Sequence, residues 1–186
     1  MNELSVRDKV PQIEVAIGDE RAALVFRHLE ALNDDDEVKL TAFGEANDLA
    51  IFTQAGGPQT IQRLFPKPAA DDGFYLGYQL PNYEVELQFE PTDFTQVNAP
   101  LNQQMIDRTV ELLDLQADDR VLDLFCGLGN FSLPLARCAA RVVGVEGDAS
   151  LVARARINAR RNALPNLESY HTECTGDLRA ESWSGH

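Results

Sequence analysis

The sequence predicts two architectures in one chain: a small α+β domain with a mostly antiparallel sheet over residues 1–90, then an α/β domain with a parallel sheet over 91–186. Three observations carry this. Early strand-like segments alternate in polarity and are joined by short turns. After Pro91, strand and helix patterns alternate instead. The later strands, RVLDLF and RVVGVEG, are continuously apolar, as in parallel sheets with helices on both faces.

Each element has a local reason. Ile13, Val15 and Ile17 alternate, Gly18-Asp19 supplies a turn, and AALVFRHL returns, so residues 12–28 read as a hairpin. Asn33 caps a helix that begins with Asp34, Asp35, Asp36 and Glu37. Those four acids point in different directions around a helix, so they read as a solvated first turn rather than a cation site. LAIFTQ (49–54) is a strand broken by Gly56-Gly57-Pro58, and FYLGYQL and YEVELQF are strands joined at Pro81-Asn82. In the second part, Met105, Ile106, Val110, Leu112 and Leu113 recur at helical spacing within 99–115. RVLDLF is then a strand, and FSLPLARCAA a helix with Pro134 near its start. RVVGVEG is the next strand, ASLVARARINARRNAL a helix ended by Pro165, and NLESYHTE a third strand.

Bulk properties narrow the function. With 186 residues, 44% of them hydrophobic and 25% charged, the chain fits one or two soluble domains. No apolar run approaches the roughly 20 residues that cross a bilayer. MNELSVRDKV lacks the apolar core of a signal peptide, so a cytoplasmic location is expected. The net charge of −14 repels nucleic acid, so any RNA contact must rest on a local patch or on parts outside this chain. Arg154, Arg156, Arg160 and Arg161 form the one basic cluster, spread around a helix as a solvated face. Cys126, Cys138 and Cys174 are too scattered for a disulfide framework or a metal knuckle, and no metal site is expected.

The informative stretch is VLDLFCGLGNFSL, 121–133. A strand must turn sharply into a helix here, and Gly127 and Gly129 permit unusual backbone angles and close ligand approach. The helix start offers free N–H groups. Glu146 ends the next strand, where an acid in a βαβ unit can bond both hydroxyls of a ribose. Together these are a nucleoside-binding, Rossmann-like arrangement. Ser132 stands where a dinucleotide fingerprint has its third glycine, and no GK[ST] is present. Asp123 would repel a pyrophosphate and suits a ligand carrying an ammonium group. S-adenosylmethionine combines an ammonium, a carboxylate and a ribose with no phosphate, so it fits better than a dinucleotide.

DFTQVN (93–98) and DLFCGLGNFSLPLA (123–136), separated by NQQMID, resemble the RNA uracil-5-methyltransferases that use S-adenosylmethionine. The resemblance covers about residues 10–175 and is strongest over 91–164. The loop form, with VVGVEG and ARINARRNAL, is similar to the members acting on 23S rRNA rather than on tRNA. It implies a partial class I methyltransferase sheet. It also implies that Gln96, Phe125, Asn130 and Glu146 touch S-adenosylmethionine, with Glu173 near the adenine. The rival for Gln96 is a helix cap, for Phe125 a core aromatic, and for Asn130 an N-cap.

The resemblance further implies covalent chemistry. A cysteine thiolate adds to uracil C6, C5 then takes the methyl group, and a base removes the C5 proton. The cysteine and base are expected beyond residue 186, downstream of a DPPR-like motif, so no catalytic residue is assigned here. Cys126 lies in the cofactor loop and reads as a small half-buried residue, not the nucleophile. The family's RNA-binding β-barrel and iron–sulfur cysteines have no counterpart in this sequence. The chain is therefore expected to be inactive alone, to bind S-adenosylmethionine weakly, and to meet 23S rRNA mostly through other regions. The alternatives are a tRNA-directed enzyme or a non-catalytic module that dimerises through an exposed sheet edge.

Overall fold

Residues 3–68, 74–173 and 183 are described by a computed structural model. Cys174 lies outside them. The chain divides into two compact units, Met1–Gly77 with Glu90–Asp93, and Tyr78–Phe89 with Phe94–His186.

The first unit contains β1 (Gln12–Ile17), β2 (Ala22–Arg27), α1 (Asp34–Asn47), β3 (Leu49–Gln54) and β4 (Ile61–Phe65) in one sheet of order β1-β2-β3-β4. The pairs β1–β2 and β3–β4 are antiparallel, whereas β2–β3 is parallel because α1 connects them. Leu40 of α1 packs with Leu4, Phe26 and Ile51. β4 is absent from the sequence reading. Its residues IQRLF lack clean alternation, and its ladder slips between Ile51 and Phe52.

Asn33 caps α1 as expected, in a capping box: its side chain accepts from the Asp36 N–H at 2.8 Å, and Asp36 reaches back to the Asn33 N–H at 3.4 Å. The acids are not all solvated, however. Asp36 is fully buried, accepting from the Ser5 N–H at 2.7 Å and the Ser5 hydroxyl at 2.5 Å. A capping position turned toward an N-terminal segment explains the difference, which helix periodicity alone could not reveal.

The second unit begins with a two-stranded sheet, β5 (Leu76–Leu80) and β6 (Val85–Phe89), of which Tyr78–Phe89 belongs to this unit. There follow α2 (Ala99–Leu113), β7 (Arg120–Leu124), α3 (Ser132–Ala136), β8 (Arg141–Glu146), α4 (Ala149–Arg161) and β9 (Leu167–His171). β7, β8 and β9 form a parallel sheet in that order. Both crossovers step the same way, so right-handed connections place α3 and α4 on one face. Val142 and Gly144 point to that face, with Val121 and Asp123 beside them in register. On the opposite face, Val143 and Val145 are covered by Trp183 and Tyr170, while Leu122 and Leu124 stay partly exposed. Helices on both faces are thus not found among the described residues.

α4 is bound to β6 by two asparagines. Asn162 accepts from the Glu86 N–H at 2.8 Å and donates to the Glu86 carbonyl at 2.7 Å. Asn158 does the same for Gln88, at 2.9 and 3.1 Å. Four helix residues rise about 6 Å and two strand residues about 6.6 Å, so the two amides match alternate residues of one strand edge. The helix thereby supplies a side-chain substitute for a neighbouring strand. The arginines of α4 are engaged too, against the expected solvated face. Arg154 is buried, Arg156 donates to the Ser169 carbonyl at 2.6 Å, and Arg161 pairs with Glu86 at 3.0 Å.

The Ser5 hydroxyl, above all, and the Ser5 N–H hold the Asp36 carboxyl below its ordinary 3.8. A lowered carboxyl stabilises the fold above the unfolded value, and that stability is lost as pH falls through the folded one. Asp36→Asn is expected to be less stable than the parent at neutral pH, the two converging below pH 3.8. Urea unfolding across a pH series checks this; a gap independent of pH would contradict it.

Candidate functional site

The site grows from the end of β7. Three of the next five residues have left-handed backbones: Phe125 (φ 62), Gly127 (φ 56) and Gly129 (φ 102). Phe125 adopts this conformation without glycine's freedom, at a cost of about 1–2 kcal/mol, and the residue is 72% exposed. It is no core aromatic. The bend is stitched by Cys126 N–H to the Val145 carbonyl at 3.0 Å, Gly129 N–H to the Cys126 carbonyl at 2.9 Å and Leu133 N–H to the Gly129 carbonyl at 3.0 Å. A Cβ on Gly127 would meet nothing within 4 Å, so the bend opens onto free space there. A Cβ on Gly129 would collide with Leu133 Cδ1.

Glu146 points back at this bend. Its Oε2 accepts from the Gly127 N–H at 3.0 Å, and its Oε1 from the Asp148 N–H at 3.1 Å. Each carboxylate oxygen keeps a second lone pair for an incoming hydroxyl. Asp148 caps α4 by accepting from the Ser150 N–H at 2.7 Å, which fixes the backbone just beyond Glu146.

Asp123 lies beneath the bend and accepts from the Ser132 hydroxyl at 2.5 Å. Burial raises its carboxyl above the ordinary 3.8, and the Glu146 charge adds to the rise. Burial, followed by Asp123 and Glu146, pushes the Cys126 thiol up to about 12. Gly144 in mid-β8 makes room for these groups, since a Cβ there would sit 2.9 Å from Cys126 Sγ and 3.2 Å from Ser132 Oγ.

Asn130 is not an N-cap; that position of α3 is Phe131, without a side-chain bond. The Asn130 amide is paired instead. Its Nδ2 donates to Asn102 Oδ1 at 2.8 Å, and its Oδ1 accepts from Asn102 Nδ2 at 3.0 Å and from the Tyr78 hydroxyl at 2.8 Å. Gln96 is exposed on the segment leading to α2, whose cap is Asn98, accepting from the Leu101 N–H at 3.1 Å. Glu173 is exposed just past β9, at the same end of the sheet as Glu146, whose carbonyl accepts from the Thr172 N–H at 3.0 Å. Asp123, Phe125, Gly127, Gly129 and Glu146 are therefore brought together. Gln96 and Glu173 stand on exposed backbone with no bond to that group among the described contacts.

The arrangement is a narrow anionic bend with exposed backbone on one side and a fixed carboxylate on the other. It suits a vicinal diol and a cationic group and repels a phosphate. Among the described residues no three His, Cys, Asp or Glu side chains converge as metal ligands.

A model of the tRNA (uracil-5-)-methyltransferase family matches residues 75–173, more than half of the chain. The chain belongs to this family. It is 53% identical over 174 residues, 94% of its length, to the 23S rRNA (uracil(1939)-C(5))-methyltransferase RlmD of Xanthomonas campestris pv. campestris strain 8004. It is 51% identical over 168 residues, 90% of its length, to the like-named protein of Aromatoleum aromaticum. In both cases the chain spans 38% of the relative's length. Among solved structures it resembles Pyrococcus abyssi tRNA (uracil-54, C5)-methyltransferase in complex with S-adenosyl-L-homocysteine, with a TM-score of 0.63, 19% identity, and 86% of this chain and 38% of that one covered. It also resembles M. jannaschii tRNA m1G37 methyltransferase, with a TM-score of 0.53, 12% identity, and 95% and 51% covered. These two likenesses establish a Rossmann-like methyltransferase fold for this uracil-5-methyltransferase family member.

Sequence reasoning missed Tyr78, Asn102, Asn158 and Asn162. The spacing of the last two, i and i+4 among small and basic residues, was the available signal for a polar helix face turned inward.

Two outcomes follow. Gly129→Ala combines positive φ with a clash and is expected to cost about 2 kcal/mol or more, while Gly127→Ala, with open space, costs about 1 kcal/mol. Denaturant unfolding ranks them; equal costs would contradict the packing at Leu133. The Cys126 thiol is expected to resist iodoacetamide in the folded chain at pH 8 and to react on unfolding. Peptide mapping that finds rapid native-state alkylation at Cys126 would contradict its burial.

Proposed function

We propose that residues 91–173 form the first half of an S-adenosylmethionine site, and that the protein containing this chain methylates C5 of a uracil in 23S rRNA. The single observation that carries the reading is the Glu146 carboxylate turned onto the Gly127 N–H at 3.0 Å, beside a bend that opens onto free space. The named activity of the curated relatives supports the choice of reaction and of RNA. Residues 1–90 make up the preceding α+β region in this reading, with the Tyr78–Phe89 segment packed in the second compact unit.

The residues present fit the cofactor. Glu146 takes the ribose hydroxyls. Phe125 offers an exposed ring beside the adenosyl group, and Asp123 faces the ammonium. The left-handed stretch 125–129 leaves backbone N–H groups for the carboxylate. Gln96 and Glu173 are assigned to the methionine and adenine ends. Bound S-adenosylmethionine supplies an electrophilic methyl group.

Attack on uracil C6 needs a thiolate near neutral pH, and Cys126, held at about 12, cannot provide it. In this reading the chain serves as the binding half, and its cofactor-loop cysteine is not the nucleophile. In the alternative reading as a non-catalytic module, two copies would pair through the outer edge of β7, the end strand of the order β7-β8-β9. A mass by light scattering that stays monomeric at high concentration removes that last reading.

Adding S-adenosylhomocysteine to the isotope-labelled chain is expected to shift amide resonances at 125–130 and 146–148, with weak affinity, and Glu146→Ala is expected to abolish the shifts. Shifts confined to other regions, or unchanged in Glu146→Ala, would overturn the cofactor assignment. Labelled methyl transfer to 23S rRNA by this chain alone would overturn its assignment as a binding half.

A further inference from the structure

Two independent polar links run from the Tyr78–Phe89 segment to the glycine bend. At one end, the Tyr78 hydroxyl donates to Asn130 Oδ1 at 2.8 Å, and the same amide is locked from α2 by the reciprocal pair with Asn102. At the other, Asn158 of α4 holds the Gln88 backbone in both directions and donates to the Leu128 carbonyl at 3.1 Å. Asn102 is 3% exposed and Asn158 is fully buried, so neither amide can exchange its partner for water. Leu128 and Asn130 flank Gly129, the residue whose backbone no other amino acid adopts without strain.

A glycine-rich bend gains close approach and loses stiffness, because glycine has the largest backbone entropy to give up. Something outside the bend must hold it. The βαβ unit itself holds four N–H groups of the bend: Cys126 on Val145, Gly127 on Glu146, Gly129 on Cys126 and Leu133 on Gly129. The Leu128 carbonyl and the Asn130 side chain are held from outside that unit, Leu128 by Asn158 of α4, which is itself anchored on Gln88 of β6, and Asn130 by Asn102 of α2 and Tyr78 of β5.

We propose that Tyr78, Asn102 and Asn158 are positioning residues for the cofactor bend, and that the Tyr78–Phe89 hairpin is a working part of the S-adenosylmethionine site although none of it touches the ligand. Asn130 acts as the receptor for this brace, its amide being committed to Asn102 and Tyr78, and it presents only backbone to the cofactor. The inference rests on the cofactor reading above only for its final step, the effect on ligand affinity.

The test uses the 186-residue chain in five single variants: Tyr78→Phe, Asn102→Leu, Asn102→Asp, Asn158→Leu and, as a control, Asn166→Leu. Asn166 also spans elements of this unit, donating to the Ala136 and Ala139 carbonyls at 2.8 and 3.0 Å, without touching the bend. Amide hydrogen exchange without ligand is the first readout. Tyr78→Phe, Asn102→Leu and Asn158→Leu are expected to speed exchange at Cys126, Gly127 and Gly129 by about fivefold or more relative to the β8 amides, the control leaving that ratio unchanged. Asn102→Asp, which keeps the acceptor for Asn130, is expected to restore part of the protection. If bend protection stays at the parental ratio in Tyr78→Phe, which loses one hydroxyl and folds even if the buried asparagine variants do not, the proposal is wrong. It is equally wrong if the control loosens the bend as much as the brace variants. The second readout, S-adenosylhomocysteine affinity, is expected to fall about fivefold per lost bond. Bend loosening in a chain that binds no S-adenosylhomocysteine would uphold the brace and remove the cofactor reading, so the two fail separately.

Discussion

The second unit depends on one constraint: the chain must leave β7, reverse through three left-handed residues and enter α3 without losing its backbone hydrogen bonds. Such a bend is expensive. It persists because Glu146 accepts from its middle at Gly127, Val145 accepts from its start at Cys126, and Asn158 takes the Leu128 carbonyl. Gly144, Ser132 and Asp123 all follow from the same requirement. A side chain at 144 would displace Cys126, and a bend without Ser132 would leave Asp123 buried with one donor fewer.

That geometry also separates the thiol in the bend from any covalent role. Two carboxylates and burial act on Cys126 in the same direction, toward the neutral form. The same carboxylates suit a cationic ligand. A single electrostatic environment thus suits a cationic group and disfavours a thiolate.

Much of this was legible beforehand. The two strands RVLDLF and RVVGVEG, the paired glycines and the strand-end acid are short-range signals, and Asp123, Gly127, Gly129 and Glu146 meet as their spacing implies. The parallel register of β7 and β8 follows from continuous apolar strands separated by a helix. What escaped was long-range and polar. Asp36 looked like one of four equivalent acids until Ser5, far away in sequence, was folded onto it. Asn158 and Asn162 looked like helix-surface residues because nothing local says that β6 lies against them. Arg154 was misjudged for the same reason. Hydrophobic periodicity reports which face is buried only when that face is apolar; an inward face built of amides carries no such signal. The strand β4 was lost to its irregular ladder.

The single tryptophan gives the two units different optical visibility. Trp183 is 4% exposed against Val143 and Val145, so its indole emits from an apolar setting and reports on one parallel sheet only. Melting of the mixed sheet around Ile51 and Phe26 would leave that emission untouched while far-ultraviolet dichroism fell. Non-coincident curves from the two signals would mark the units as separate cooperative blocks, and superimposed curves would mark them as one.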